Sequence, residues 1–190
     1  EDIKITILDT PGHVDFSAEM ERTLQVLDYA VLIISGTDGV QGHTLTLWKL
    51  LKELRIPTFL FINKTDLNHS GKDALMEHLR KSLDYGCMDF SQEVMQEDAL
   101  EEMALLGDRL EEFLETGSLS EECICEMIAK RSVFPCFFGS ALKLDGIEQL
   151  LDGLDRYTIQ NTLETDAFRA RVYKITHDEQ GKRLTHIKVL

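Results

Sequence analysis

Apolar positions along this chain change period several times, and each change marks an element. Ile3, Ile5 and Ile7 alternate with polar residues and run into Leu8, a period of two that predicts a strand ending at Asp9. From Phe16 to Leu27 the period lengthens, with Met20, Leu24 and Leu27 on one helical face. Tyr29 to Ser35 is a continuous apolar run, the pattern of a strand buried on both faces. An Asp38-Gly39 turn leads to Gly42–Leu54, where Leu47, Leu50, Leu51 and Leu54 recur at helical spacing. Pro57 to Ile62 reads as a second buried strand, ending at Asn63, and Ser70 to Leu83 as a helix.

Asp98 to Glu115 predicts one helix, with Leu105, Leu106, Leu110, Phe113 and Leu114 as its apolar residues, and Gly117 breaks it. Ser118-Leu119-Ser120-Glu121 offers a capping box for a further helix reaching Lys130. Val133 to Phe138 is another strand, leading into Gly139-Ser140-Ala141, and Gly146 to Tyr157 another helix. Strands that alternate with helices predict an α/β domain, a mainly parallel sheet with helices on both faces. From Ala167 two alternating runs flank a Gly181 turn, the pattern of a β-hairpin opening an antiparallel domain. The expected organisation is an α/β domain over residues 1–159 with a helical insert near 67–131, a polar linker at 160–166, and the start of a second domain at 167–190. The first strand begins almost at Glu1, without an initiator Met, and the last stops at Leu190 without a cap; both ends read as cut.

Charge adds one feature to this picture. Between Asp84 and Glu126 there are fourteen acidic residues and a single basic one, Arg109, nearly all of the net charge of -14. The rest of the chain is close to neutral and carries no basic nucleic-acid footprint. The segment 84–126 is either a solvated helical surface or an acidic docking face for a protein partner. Cys87, Cys123, Cys125 and Cys136 form no metal-ligand spacing with the six histidines, as expected of reduced thiols in a cytoplasmic protein. No apolar run approaches the ~18–20 residues of a membrane-spanning helix. Trp48 is expected in helix–sheet packing.

Three strings at predicted strand ends carry the candidate chemistry, because open α/β sheets bind ligands there. In Asp9-Thr10-Pro11-Gly12-His13, Asp9 can hold Mg2+ through a coordinated water. The Gly12 backbone N–H can approach a γ-phosphate, and His13 is placed to orient or deprotonate an attacking water. In Asn63-Lys64-Thr65-Asp66, the Asp66 carboxylate can accept two parallel hydrogen bonds from N1–H and the exocyclic amine of guanine, an arrangement adenine lacks. Asn63 can bond the other purine edge and stitch neighbouring loops together, and the Lys64 stem can cover the ring face. Ser140 and Ala141 would complete the pocket with a backbone N–H for guanine O6. A phosphate-cradling G-x-x-x-x-G-K-[ST] loop does not occur in the 190 residues.

Asp9 to Phe16 (Asp-Thr-Pro-Gly-His-Val-Asp-Phe) and Ser35 to Gln41 (Ser-Gly-Thr-Asp-Gly-Val-Gln) resemble the catalytic domain of translational GTPases. Val172-Tyr-Lys-Ile175 with Gly181-Lys-Arg-Leu184 resembles the first hairpin of that family's second, β-barrel domain. The 72 residues between Asp66 and Gly139 make an insert similar in length to that of the tetracycline-resistance ribosomal protection proteins, shorter than that of elongation factor G. The resemblance implies a ribosome-dependent GTPase of the cytoplasm that binds GTP or GDP with Mg2+. It implies nucleotide contacts at Asp9, Pro11, Gly12, Asn63, Lys64, Asp66, Ser140 and Ala141, and catalysis by His13. An elongation-factor-G-type translocation factor and a degenerate, non-hydrolysing binding module are the alternatives. The isolated fragment is expected to be inactive and to self-associate through an open sheet edge.

Overall fold

A computed structural model describes residues 4–10, 18–68, 71–92, 95–159 and 167–189. These fall into two compact units, one of residues 29–159 and one combining residues 1–28 with 160–190.

The larger unit is built on a parallel sheet of four strands, β1 (Ala30–Ser35), β2 (Thr58–Asn63), β3 (Cys87–Asp89) and β4 (Phe134–Phe138), in the order β1-β2-β4-β3. Successive side chains of β2 point to opposite faces, and both faces are covered. Leu60 and Ile62 pack with Trp48 of α2 (Gly42–Glu53) and Leu79 of α3 (Lys72–Ser82). Phe59 and Phe61 pack on the other side with Met103 of α4 (Glu97–Leu106), Phe113 of α5 (Leu110–Thr116) and Ile124 of α6 (Glu121–Ala129). Leu150 and Leu154 of α7 (Ile147–Tyr157) close that face. This double burial is why β2 reads as unbroken apolar sequence. Trp48 meets Phe134 edge-on at 4.7 Å, the helix–sheet contact expected of it.

The smaller unit holds a short helix, α1 (Ala18–Leu24), and the expected hairpin, β5 (Ala170–His177) with β6 (Arg183–Val189). Arg171 donates to the Gln25 carbonyl at 2.7 Å, and Lys188 pairs with Asp28 at 2.6 Å.

Several expectations are corrected. No strand ends at Asp9: residues 4–10 have no regular structure, and Ile5 and Ile7 are exposed. Alternation shows which face a strand could bury; a strand also needs a partner for its N–H and C=O groups, and none is found among the described residues. β1 is an edge strand whose Val31 and Ile33 are exposed, so it is not buried on both faces. The single helix expected over 98–115 is two helices, because the chain turns at Gly107 and Asp108, the latter at φ 57°. A Cβ on Gly107 would sit 2.4 Å from the Met127 sulfur, so α6 packs against this break. The cap of α6 is Ser120, accepting from the Cys123 N–H at 3.2 Å, and not the Ser118 box. The three-residue β3 lies in a stretch where no strand was expected.

The acidic segment turns its charge outward: Glu101, Glu111, Glu115 and Glu122 are exposed. Arg80 pairs with Glu102 at 2.9 Å, and Arg109 and Lys130 both pair with Glu126, at 3.0 and 2.9 Å.

The unequal burial of the strands sets different mutational costs. Phe59→Ala, at a fully buried position, is expected to destabilise the larger unit by about 3–5 kcal/mol in denaturant unfolding. Ile33→Thr, at a position 64% exposed, is expected to change stability by under about 0.5 kcal/mol. Equal losses would contradict the packing described.

Candidate functional site

Parallel pairing brings the ends of β2 and β4 side by side. Ile62 stands opposite Phe138, and the next residue, Gly139, donates its N–H to the Ile62 carbonyl at 3.0 Å. The Thr65 N–H and hydroxyl then both donate to the Gly139 carbonyl at 3.1 Å. The two loops are thus fastened in register just beyond the sheet.

Asn63, the last residue of β2, ties them further. Its side-chain carbonyl accepts from the Lys64 N–H at 2.8 Å and from the Ala141 N–H at 2.9 Å. The expectation that Asn63 bridges neighbouring loops matches this geometry. The same bond occupies the Ala141 N–H, one of the backbone donors of the Gly139–Ala141 string from which a bond to guanine O6 was expected. Lys64 is exposed and left-handed, at φ 61° and ψ 33°, a conformation costly for a residue with a Cβ. That turn starts the 3-10 turn Thr65–Leu67 and sends the chain back over the strand ends.

Glycine is required at Gly139 by close approach. A Cβ there would lie 2.1 Å from the Asp145 carbonyl oxygen, and one on Gly146 would lie 2.2 Å from the Phe138 carbonyl oxygen. The loop between them closes on itself, with Ser140 N–H donating to Asp145 O at 3.0 Å and Asp145 N–H to Ser140 O at 3.1 Å. Ser140 is buried at 3% exposure.

Asp66 sits between the loops. Its carboxylate pairs with Lys143 Nζ at 2.8 Å, and the Ser140 hydroxyl favours its charged form. The Lys143 bond, followed by the Ser140 bond, holds this carboxyl below its ordinary value, so it is charged at neutral pH. A charged acceptor facing out from a strand end suits a ligand edge carrying two donors. Lys143 is the residue that sequence reasoning missed; the available signal was a lone cation three positions after Ser140.

The structure therefore gathers Asn63, Lys64, Asp66, Ser140 and Ala141 at one end of the sheet. Asp9 is exposed in the irregular stretch of the smaller unit. Pro11, Gly12 and His13 lie outside the described residues. A cavity of about 390 Å³ beside the base-side loops is lined by Thr65, Asn68, Lys72, Ser91, Gly146 and Gln149. The four cysteines are buried and unpaired by disulfides, and burial pushes the Cys136 thiol well up. No helix among the described residues is long and apolar enough to cross a membrane.

The family described as Elongation factor Tu GTP binding domain matches residues 1–160. Tetracycline resistance protein TetP of Clostridium perfringens is 34% identical, over 98% of this chain and 32% of that protein. Oxytetracycline resistance protein of Streptomyces rimosus is 31% identical over 100% of this chain and 33% of its own length. Tetracycline resistance protein TetO of Campylobacter coli is 32% identical, again over 100% of this chain and 32% of its own. The chain spans about a third of the length of these relatives. A crystal structure of a Thermus thermophilus protein superposes with a TM-score of 0.80 at 20% identity, covering 95% of this chain and 34% of that one, and so shares the fold. The chain belongs to the elongation factor Tu GTP-binding domain family of translational GTPases.

Proposed function

We propose that this chain is part of a ribosome-dependent GTPase that acts as a ribosomal protection protein against tetracycline. The observation that carries the guanine reading is the charged Asp66 carboxylate, held between two fastened strand-end loops. On that reading Asp66 accepts N1–H and the 2-amino group of guanine, and Asn63 keeps the second loop in place to receive the base. Lys64, from its left-handed turn, covers the ring with its methylenes. Ser140 and Ala141 line the rim.

The phosphate side of the site is assigned to Asp9, Pro11, Gly12 and His13. Asp9 would hold Mg2+ through water, and the ion would screen the phosphate charge. Gly12 would contact the γ-phosphate, and His13 would orient the attacking water once the ribosome presses it into place. Domain roles follow: residues 1–159 as the nucleotide domain, 160–166 as linker, 167–190 as the opening of a β-barrel domain. The acidic helices of 84–126 are read as a face turned away from RNA, open to a protein partner. A cytoplasmic location fits a factor that works on ribosomes, and the relatives' printed names favour drug resistance over translocation.

Two outcomes follow. Asp66→Asn is expected to weaken GDP binding at least about tenfold and to favour xanthosine diphosphate, because the new amide donates to the xanthine 2-carbonyl. Calorimetric titration of both nucleotides against both proteins reads this; unchanged GDP affinity would contradict the base assignment. The 190-residue chain by itself is expected to release no phosphate from GTP above background, with or without ribosomes, since it holds no phosphate loop. Ribosome-stimulated turnover by this chain would overturn that expectation.

A further inference from the structure

The carboxylate assigned to guanine already has partners. Lys143 Nζ lies 2.8 Å from Asp66 Oδ2, and the Ser140 hydroxyl favours the charged form of the same group. The Asp66 side chain is 21% accessible. A flat purine edge making two parallel bonds needs both carboxylate oxygens open on one side. A cover standing on that side must yield.

The two covers are unequal. Ser140 is buried at 3% exposure and locked by the reciprocal backbone bonds to Asp145. Its support of the Asp66 charge can persist, because a carboxylate offers about four acceptor positions. Lys143 ends the 3-10 turn Ala141–Lys143, with its N–H donating to Ser140 O at 2.9 Å. Its backbone is fixed, while its side chain is 63% exposed and reaches Asp66 through a flexible stem. An ion pair this open is weak and screened by salt, so an incoming ligand can displace it.

We propose that Lys143 is an internal competitor for Asp66: it occupies the carboxylate when the base site is empty, withdraws for guanine, and returns to hasten nucleotide release. The inference rests on the guanine reading above. It makes Lys143 a positioning residue that tunes exchange at the base end of the site. In the empty state the pair keeps Asp66 charged and oriented. In the bound state the lysine stands beside the base, ready to reclaim the oxygen as the purine leaves. Lys143 thus acts on the dissociation rate more than on the encounter.

The test uses the intact protein with a fluorescent GDP analogue in stopped flow, comparing wild type, Lys143→Met and Lys143→Arg. Lys143→Met is expected to slow dissociation and tighten binding by about two- to fivefold, the span set by an exposed ion pair. Lys143→Arg should behave like wild type. The gap between wild type and Lys143→Met should close as salt is raised towards molar concentration. Equal or faster release from Lys143→Met, or a gap indifferent to salt, overturns the proposal. Carboxyl 13C NMR without nucleotide reads the ion pair directly, the Asp66 signal being assigned by its loss in Asp66→Asn. Removing Lys143 should move the Asp66 midpoint upward, since the lysine favours the charged form. An unmoved midpoint removes the ion pair and the competitor with it. If no form of the protein binds the analogue while the midpoint still moves, the guanine reading fails and the competition fails with it, although the pair itself stands.

Discussion

Parallel pairing of β2 with β4 is the constraint from which the candidate site follows. Two strands running in the same direction, in fixed register, end at the same level, so their following loops must emerge together. Ile62 opposite Phe138 sets that level, and the Gly139 N–H to Ile62 bond carries the pairing one residue into the loop. Every later contact builds on it: Thr65 to the Gly139 carbonyl, Asn63 to the Ala141 N–H, and Asp66 to Lys143. A slip of one residue would reverse the faces of β4 and separate these partners.

The sheet can hold this register because both its faces are packed. Phe59 and Phe61 anchor it against the insert helices and α7, and Leu60 and Ile62 against α2 and α3. The acidic insert therefore has a structural role that its charge conceals. Its apolar residues, Met103, Phe113, Ile124 and Ile128, complete one of the two cores, while Glu101, Glu111, Glu115 and Glu122 face solvent. A rigid frame with an exposed rim is what a ligand site on loops requires.

Much of this was legible in the chain. The strands β1, β2 and β4 follow from their unbroken apolar runs, and the helices α2, α3 and α7 and the terminal hairpin from periodicity, because each pattern lies within the element's own sequence. The Asn63–Asp66 and Gly139–Ala141 strings were recognisable as strand-end loops for the same reason. Other features depend on partners that periodicity does not encode. Ile3, Ile5 and Ile7 alternate well, yet residues 4–10 form no strand. Leucines on both sides of Gly107 hide the break between α4 and α5. β3 is too short, at three residues, to show a period. Lys143 is an exposed loop lysine, and only the geometry shows that it reaches Asp66.

The central claim is that the loops after β2 and β4 jointly receive a guanine base. Amide chemical-shift mapping with GDP tests it most directly, because it reports which backbone groups the ligand reaches. The account predicts that the largest shifts fall on Lys64 to Leu67 and on Ser140 to Asp145, with the exposed faces of α4 to α6 unmoved. Shifts centred instead on the neighbouring cavity at Lys72, Ser91 and Gln149, or on the acidic helices, would contradict it.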